Sequence, residues 1–195
     1  MPKREDILHS VLIVSGSEQF TAVTRKALPS GSFAAIDIRK SAAVARRSIL
    51  ERYYDIVVIN VPLPDEAGPE FALDVSEKCN ASILLAVPQE VCDETLEHVA
   101  DAGIQVLAKP FSGIRMNQAV RSMMAVQRKF RQAEKKILSV QEKMEELRIV
   151  SKAKCLLIEK KQMTEEEAHR YIGKQAMDHG ISRKRSAERI LEDLE

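Results

Sequence analysis

The sequence predicts an α/β protein: a doubly wound, five-stranded parallel sheet, then a long coiled-coil helix and a small three-helix unit. Short apolar runs alternate with helical patterns through the first 111 of 195 residues. Most of these runs are continuously apolar, which is typical of parallel strands covered on both faces. After residue 111 only helical spacing remains. We therefore expect domains at 1–111, 112–150 and 151–195.

Each element of the front domain has its own signal. The β-α alternation implies right-handed crossovers, with ligands at the carboxyl ends of the strands. Gly103 stands where a helix C-terminal glycine is expected. The predicted strands are 10–15, 34–38, 55–61, 82–87 and 104–109, and the predicted helices are 17–28, 41–51, 67–79 and 90–102.

A long helix is predicted from 112 to 161, where there is no proline and the only glycine is Gly113. Apolar residues recur there with a sustained period of 3.5, which favours a parallel homodimeric coiled coil. The alternative is a long amphipathic helix packed on its own domain. Charge adds little specificity to pairing between the two helices of such a dimer. Lys129 of one helix would face Glu134 of the other, an attractive pair, whereas Lys143 would face Arg148, a repulsive pair. The seam positions are Met116, Ala119, Met123, Val126, Phe130, Ala133, Ile137, Val140, Met144 and Leu147.

The tail restarts the helical signals. Thr164 and Glu167 have the spacing of a capping box, which predicts a helix over 165–178. Ser182 is placed to cap a last helix over 183–194. The predicted core of this unit is Ala153, Leu156, Leu157, Ala168, Tyr171, Ile172, Ala176, Ile190 and Leu191.

Charge is distributed unevenly along the chain. Residues 1–111 contain 11 Lys/Arg and 16 Asp/Glu, whereas residues 112–150 contain 9 and 4, and residues 151–195 contain 10 and 9. The middle and the end are therefore the candidates for a polyanion contact. The alternative is that these charges only solvate helix faces.

Several function classes lack support in the sequence. No apolar run reaches membrane-spanning length, and residues 1–6 do not resemble a signal peptide. The cysteines, Cys79, Cys92 and Cys155, show neither metal-ligand spacing nor a disulfide framework. The four histidines are isolated, and no glycine-rich phosphate loop occurs. We expect a cytoplasmic protein that is not an enzyme and has no metal or cofactor.

The front domain resembles the receiver domain of response regulators. The resemblance depends on the strand order, on residues 58–64 (VINVPLP) with Gly68 after them, and on residues 106–111 (VLAKPF). It implies a flavodoxin-like fold. Lys109-Pro110 at the end of the fifth strand is the most specific sign.

Receivers need a phospho-accepting aspartate, an acidic pair that holds magnesium, a hydroxyl residue and a lysine. Here Asn60 stands at the acceptor position, Ser15 and Gly16 replace the acidic pair, and Ala86 replaces the hydroxyl residue. An amide cannot form an acyl phosphate, and magnesium finds little negative charge. Only Lys109 remains, and we expect it to bond Asn60 or nearby carbonyls, the alternative being a surface lysine. The sequence predicts a degenerate receiver without phosphotransfer.

The tail resembles the ANTAR domain. The resemblance depends on Ala153-Lys154, Glu167-Ala168 and Ala176-Met177 at the family's spacing, and it covers nearly all of 147–195. Cys155 and Ile158 depart from the usual glycine and methionine. In the last helix, polar Arg183 and Ser186 stand at usually apolar positions, which raises a question about that helix's packing.

The ANTAR resemblance implies binding of paired stem-loops in nascent RNA and transcription antitermination. RNA loops are recognised by stacking on aromatic side chains and by cations along the phosphates. Tyr171 is the tail's only aromatic residue, and its alternative role is in the core. The alternative function is a signalling or scaffold protein whose front domain binds a regulatory protein partner. The candidate RNA-binding residues are Lys154, Lys160, Lys161, Arg170, Tyr171, Lys174, Arg183, Lys184 and Arg185.

Overall fold

The computed structural model describes residues 8–194. Five parallel strands form one sheet in the order β2-β1-β3-β4-β5, which is the flavodoxin-like order. The predicted fold class is confirmed. The strands are β1 (His9–Val14), β2 (Phe33–Arg39), β3 (Ile56–Asn60), β4 (Ser82–Pro88) and β5 (Gln105–Lys109).

Helices connect the strands in alternation, as the sequence predicts. The residues predicted as one helix over 90–102 form a shorter α-helix flanked by 3₁₀ turns. Gly103 follows with a φ of +66°, a left-handed conformation that glycine adopts without strain. The helices are α1 (Glu18–Ala27), α2 (Ala42–Glu51), α3 (Gly68–Lys78), α4 (Cys92–Val99), α5 (Gly113–Lys161), α6 (Glu165–Asp178) and α7 (Arg183–Leu194).

The chain divides into two compact units after Arg131. The predicted domains, 1–111, 112–150 and 151–195, stay predictions, and their outermost residues, 1–7 and 195, lie outside the described residues. We call the two compact units the front unit and the tail unit.

The front unit has a core on each face of its sheet. On one face, Phe71 and Val75 of α3 pack with residues of α2 and α4. On the other face, Phe20 of α1 packs with the first turns of α5. Parallel sheets require such coverage because both of their faces are apolar.

The first turns of α5 belong to the front unit. Met116 is 0% exposed and Met123 is 1% exposed, because both fill the core against the sheet. These two predicted seam positions are therefore corrected: they pack within their own chain. Polar contacts hold the same stretch, since Gln127 donates to the Asn80 carbonyl at 2.7 Å and Arg131 pairs with the buried Asp55.

The tail unit has a small core of its own between the end of α5, α6 and α7. Leu157, Ile172 and Ala187 are almost completely buried in it. The capping box is confirmed: Thr164 accepts from the Glu167 amide, and the Glu167 carboxylate accepts from the Thr164 amide at 2.8 Å.

Candidate functional site

The residues of the predicted degenerate receiver site lie at the carboxyl ends of β1, β3 and β5. Asn60 is the last residue of β3, and Lys109 is the last residue of β5. The Lys109 ammonium donates to Asn60 Oδ1 at 3.0 Å and also to the Val61 carbonyl. The prediction that Lys109 bonds Asn60 or a nearby carbonyl is confirmed, and both bonds are present.

A continuous hydrogen-bonded chain replaces the acidic site. Asn60 Nδ2 donates to Ser15 Oγ at 3.1 Å, and Ser15 Oγ accepts from the Ser17 amide at 3.0 Å. Ser17 also caps α1 by accepting from the Phe20 amide. Ser15 and Asn60 are therefore linked to the start of α1, and both are buried.

The electrostatics of this site differ from those of a site that binds a metal cation. Burial lowers the pKa of the Lys109 ammonium, because a charged group loses hydration there. The two oxygens that receive its bonds, on Asn60 and Val61, are neutral. Ala86 is completely buried in the core beneath. Within the described residues, no group of three or more His, Cys, Asp or Glu is placed to hold a metal.

The acidic side chains in the loop after β3, Asp65 and Glu66, contact residues at the start and middle of α2. Asp65 accepts from the amides of Ala42 and Ala43, both at 2.9 Å, and these bonds lower its carboxyl pKa. Glu66 forms a two-bond ion pair with Arg46 of α2, which lowers the pKa of Glu66. Both carboxylates therefore contact and stabilise α2.

In the tail unit, four of the predicted RNA-binding residues line one groove of about 710 Å³: Lys161, Arg170, Tyr171 and Lys174. We call it the Tyr171 groove. The Lys161 ammonium lies 5.4 Å from the Tyr171 ring centroid, within the range of a cation–π contact. Tyr171 is half-buried and also contacts the tail core, so its two proposed roles are compatible.

The other predicted cations are dispersed. Lys154 is paired with Glu165 at 2.8 Å, and Arg185 is paired with Glu188 at 3.1 Å. Lys160 donates to the Leu194 carbonyl. Arg183 is exposed and lines a second groove, and Lys184 is half-buried.

Comparison with known proteins agrees with this geometry. The ANTAR domain family matches residues 139–191. The transcriptional regulatory protein PdtaR of Mycobacterium tuberculosis strain H37Rv is 32% identical over 141 residues, which cover 72% of this chain and 68% of that protein. The chain belongs to the ANTAR-domain response regulators.

The front unit of this ANTAR regulator is similar to solved receiver structures. The receiver domain of an HD domain-containing protein from Pseudomonas fluorescens Pf-5 has a TM-score of 0.57 and 18% identity, covering 68% of this chain and 97% of that one. Chemotaxis response regulator CheY4 of Vibrio cholerae has a TM-score of 0.52 and 18% identity, covering 60% and 98%. At these identities the similarity establishes the fold alone.

The structure explains how the last helix of the ANTAR domain, α7, accommodates polar residues at two positions that are usually apolar in the family. Ser186 is 2% exposed, and its hydroxyl donates to the Ile172 carbonyl at 3.1 Å. The hydrogen bond satisfies a polar group that would otherwise be costly to bury. Arg183 lies outside the core, so α7 still packs through Ala187 and Ile190.

The later seam positions of the ANTAR regulator lie on the surface of α5. Val140 is 54% exposed, Met144 is 65% exposed and Leu147 is 67% exposed. Val126, Phe130 and Ile137 are also exposed. No helix in the described part of the chain is long and apolar enough to cross a membrane.

Sequence reasoning missed two apolar residues of the Tyr171 groove. Met163 and Met177 line it, and the Met177 side chain is 82% exposed. Ala153 and Ala176, on which the ANTAR resemblance also depends, are buried. The available signal was the spacing of three residues from Tyr171 to Lys174 and from Lys174 to Met177, which makes each pair neighbours on the surface of α6.

Proposed function

We propose that this ANTAR regulator is a cytoplasmic RNA-binding transcription antiterminator. Its tail would bind paired stem-loops in nascent mRNA, so that an overlapping terminator hairpin does not form. The observation that carries the proposal is the Tyr171 groove, which three cations line together with an aromatic ring, within the segment that matches the ANTAR family.

The chemistry of the groove suits unpaired loop nucleotides. A base can stack on an aromatic face such as that of Tyr171, and each stacked base contributes about 1–3 kcal/mol. Met177 adds an exposed apolar surface to the same groove. Arg170 and Lys174 are exposed on the same side of α6, where they can contact the phosphates that flank the base.

The test is equilibrium binding of the full chain to an RNA with two adjacent hairpins. We expect binding that weakens steeply with salt. Arg170→Gln with Lys174→Gln should weaken it at least tenfold, and Tyr171→Leu should weaken it without unfolding the tail. The matched control, Arg25→Gln with Lys26→Gln on α1, removes the same charge from the front unit and should leave affinity unchanged.

If the intact chain binds no paired stem-loop, the antiterminator proposal fails. The signalling or scaffold alternative would then be favoured. A pull-down from cell extract would test that alternative, and a specific protein retained by the front unit would support it.

We further propose that the regulator works without phosphorylation. The bonds from Lys109 to Asn60 and from Asn60 to Ser15 support this, because they occupy the polar groups at the acceptor position. Acetyl phosphate with Mg²⁺ should produce no phosphate adduct by mass spectrometry. Asn60→Asp should also stay unmodified, since Ser15 and Gly16 offer magnesium no carboxylate. An adduct on the natural chain would contradict this proposal.

We also propose that the chain acts as a dimer through the exposed seam on α5. A second copy is the occupant indicated by the apolar 3.5-residue period, which continues over positions 126–147. Sedimentation should show a dimer, and Val140→Glu with Met144→Glu should yield a folded monomer. The monomer should retain single-hairpin binding and lose the additional affinity for two adjacent hairpins. A monomeric natural chain would exclude this mode of action.

A further inference from the structure

A second groove lies on a different face of α6 from the Tyr171 groove. It has a volume of about 320 Å³ and is lined by residues of all three tail helices. His169 and Ile172 are its α6 residues, whereas Arg170, Tyr171 and Lys174 line the Tyr171 groove. At 3.6 residues per turn, these sets point to different sides of the helix. The lining is Lys143, Glu146, Leu147, Val150, His169, Ile172 and Arg183.

A row of cations leads along α5 into this second groove. Lys136 and Lys143 are seven residues apart, so they lie on one face of α5, two turns from each other. Gln132 and Ser139 share that face, and no acid interrupts it before Glu146. Arg183 then continues the row from α7, since it lines the same groove as Lys143. We call Lys136, Lys143 and Arg183 the α5–α7 track.

The cations of the track are exposed, and none of the three has an ion pair with another described residue. Other tail cations differ in this respect. Lys154 is paired with Glu165, and Arg185 is paired with Glu188. The attraction of such a cation for an external anion is not offset by a paired carboxylate.

We propose that the α5–α7 track is a second RNA contact, one that binds the phosphate backbone of a hairpin stem. This inference rests on the proposed RNA-binding function and adds a site to it. Phosphate is the chemistry indicated, because all three residues of the track are cations, and the ring that lines the same groove, His169, is not one of them. Lys136 lies before the family-matched segment, which begins at residue 139.

The track is compatible with the proposed dimer. In the seam's heptad, with position a at Met116, Lys136 and Lys143 occupy g positions, which flank the apolar seam and stay in contact with solvent. Lys143 of one copy would face Arg148 of the other, a repulsive pair. Replacing Lys143 by glutamine therefore relieves repulsion, and a resulting loss of RNA affinity cannot be attributed to a weakened dimer.

The experiment measures binding of the full chain to the two-hairpin RNA over a range of salt concentrations. The variant is Lys136→Gln with Lys143→Gln. Each lost phosphate contact lowers the slope of log affinity against log salt by about 0.7–0.9. We therefore expect the slope to fall by about 1.5 and the affinity near physiological salt to fall roughly tenfold or more. Arg183→Gln should add a further decrease, and Arg25→Gln with Lys26→Gln should change neither quantity.

The outcomes separate this inference from the proposed function. If the natural chain binds and Arg170→Gln with Lys174→Gln weakens binding, but the Lys136/Lys143 variant keeps its affinity and slope, the track is overturned and the antiterminator stands. If the natural chain binds no RNA, both fail. A track that binds an acidic protein segment and not RNA would also leave affinity and slope unchanged.

Discussion

The front unit and the tail unit use their polar side chains in opposite ways. In the front unit, Lys109, Asn60 and Ser15 bond one another at the site where a receiver would hold magnesium and phosphate. In the tail unit, Arg170 and Lys174 are exposed around an open groove. Arg170 is also paired with Glu166 at 3.5 Å, but both side chains are exposed, so an external anion can replace this pair. The polar groups at the receiver site are therefore bonded to one another within the front unit, whereas the cations of the tail groove face solvent.

The two units also differ in the size of their hydrophobic cores. Because the tail core is small, a substitution there is the change with the largest expected effect on stability. The tail has one small core in which Leu157 is 0% exposed. Leu157→Ala should destabilise it by about 2–5 kcal/mol. Hydrogen exchange should therefore accelerate more than tenfold in α6 and α7, while β1 and β3 keep their protection.

The control for this prediction is Met177→Ala in the same unit. Met177 is 82% exposed, so its truncation should change exchange very little. If Leu157→Ala accelerated exchange equally in the strands, the two units would unfold as one, and the division after Arg131 would not describe their energetics.

The sequence predicts the front unit better than the site surfaces of the tail. Strands and helices follow from local apolar patterns, and Asn60 and Lys109 are identifiable because strand ends converge at one edge of the sheet. The seam shows where local pattern fails. Met116 and Met123 have the same period as Met144, yet they are buried against the sheet, and a 3.5-residue period cannot distinguish a partner helix from the chain's own core.

The grooves of the tail could not be predicted for a related reason. Which cation is available depends on its ion pairs, and these depend on side chains far away in sequence. Lys154 and Glu165 are eleven residues apart, and no local pattern indicates that they pair. The Tyr171 groove brings together the end of α5 and one side of α6, which no linear motif describes.

The front unit buries a histidine, so the two units should respond differently to pH. His9 is 0% exposed, and burial lowers its pKa from 6.5, although the nearby Asp55 carboxylate opposes that shift. The folded state then binds fewer protons than the unfolded state. The contribution of neutral His9 to the free energy of unfolding is therefore complete above pH 6.5. It decreases as the pH falls towards the lowered pKa, by up to about 1.4 kcal/mol per pH unit.

Urea unfolding at pH 7, 6 and 5, monitored by hydrogen exchange of the β1 amides, measures this effect. His9→Phe should remove most of the decrease, because phenylalanine does not titrate. Protection of α6 over the same range serves as the internal reference, because His9 lies in the other unit. A His9→Phe variant with an unchanged pH dependence would show that another group is responsible.

The smallest expected effect concerns the start of α6, which exposes a helix end to solvent. Thr164 Oγ1 accepts from the Glu167 amide at 3.3 Å, and it satisfies one of the amides that have no partner within the helix. Thr164→Ala should destabilise the tail unit by about 1 kcal/mol, whereas Thr164→Ser, which retains the hydroxyl, should restore most of that stability. Hydrogen exchange of the first turn of α6 measures both changes, and the strands of the front unit serve as the internal reference. Equal exchange in the alanine and serine variants would mean that Glu167, which also accepts from the Thr164 amide, is sufficient to hold this helix end.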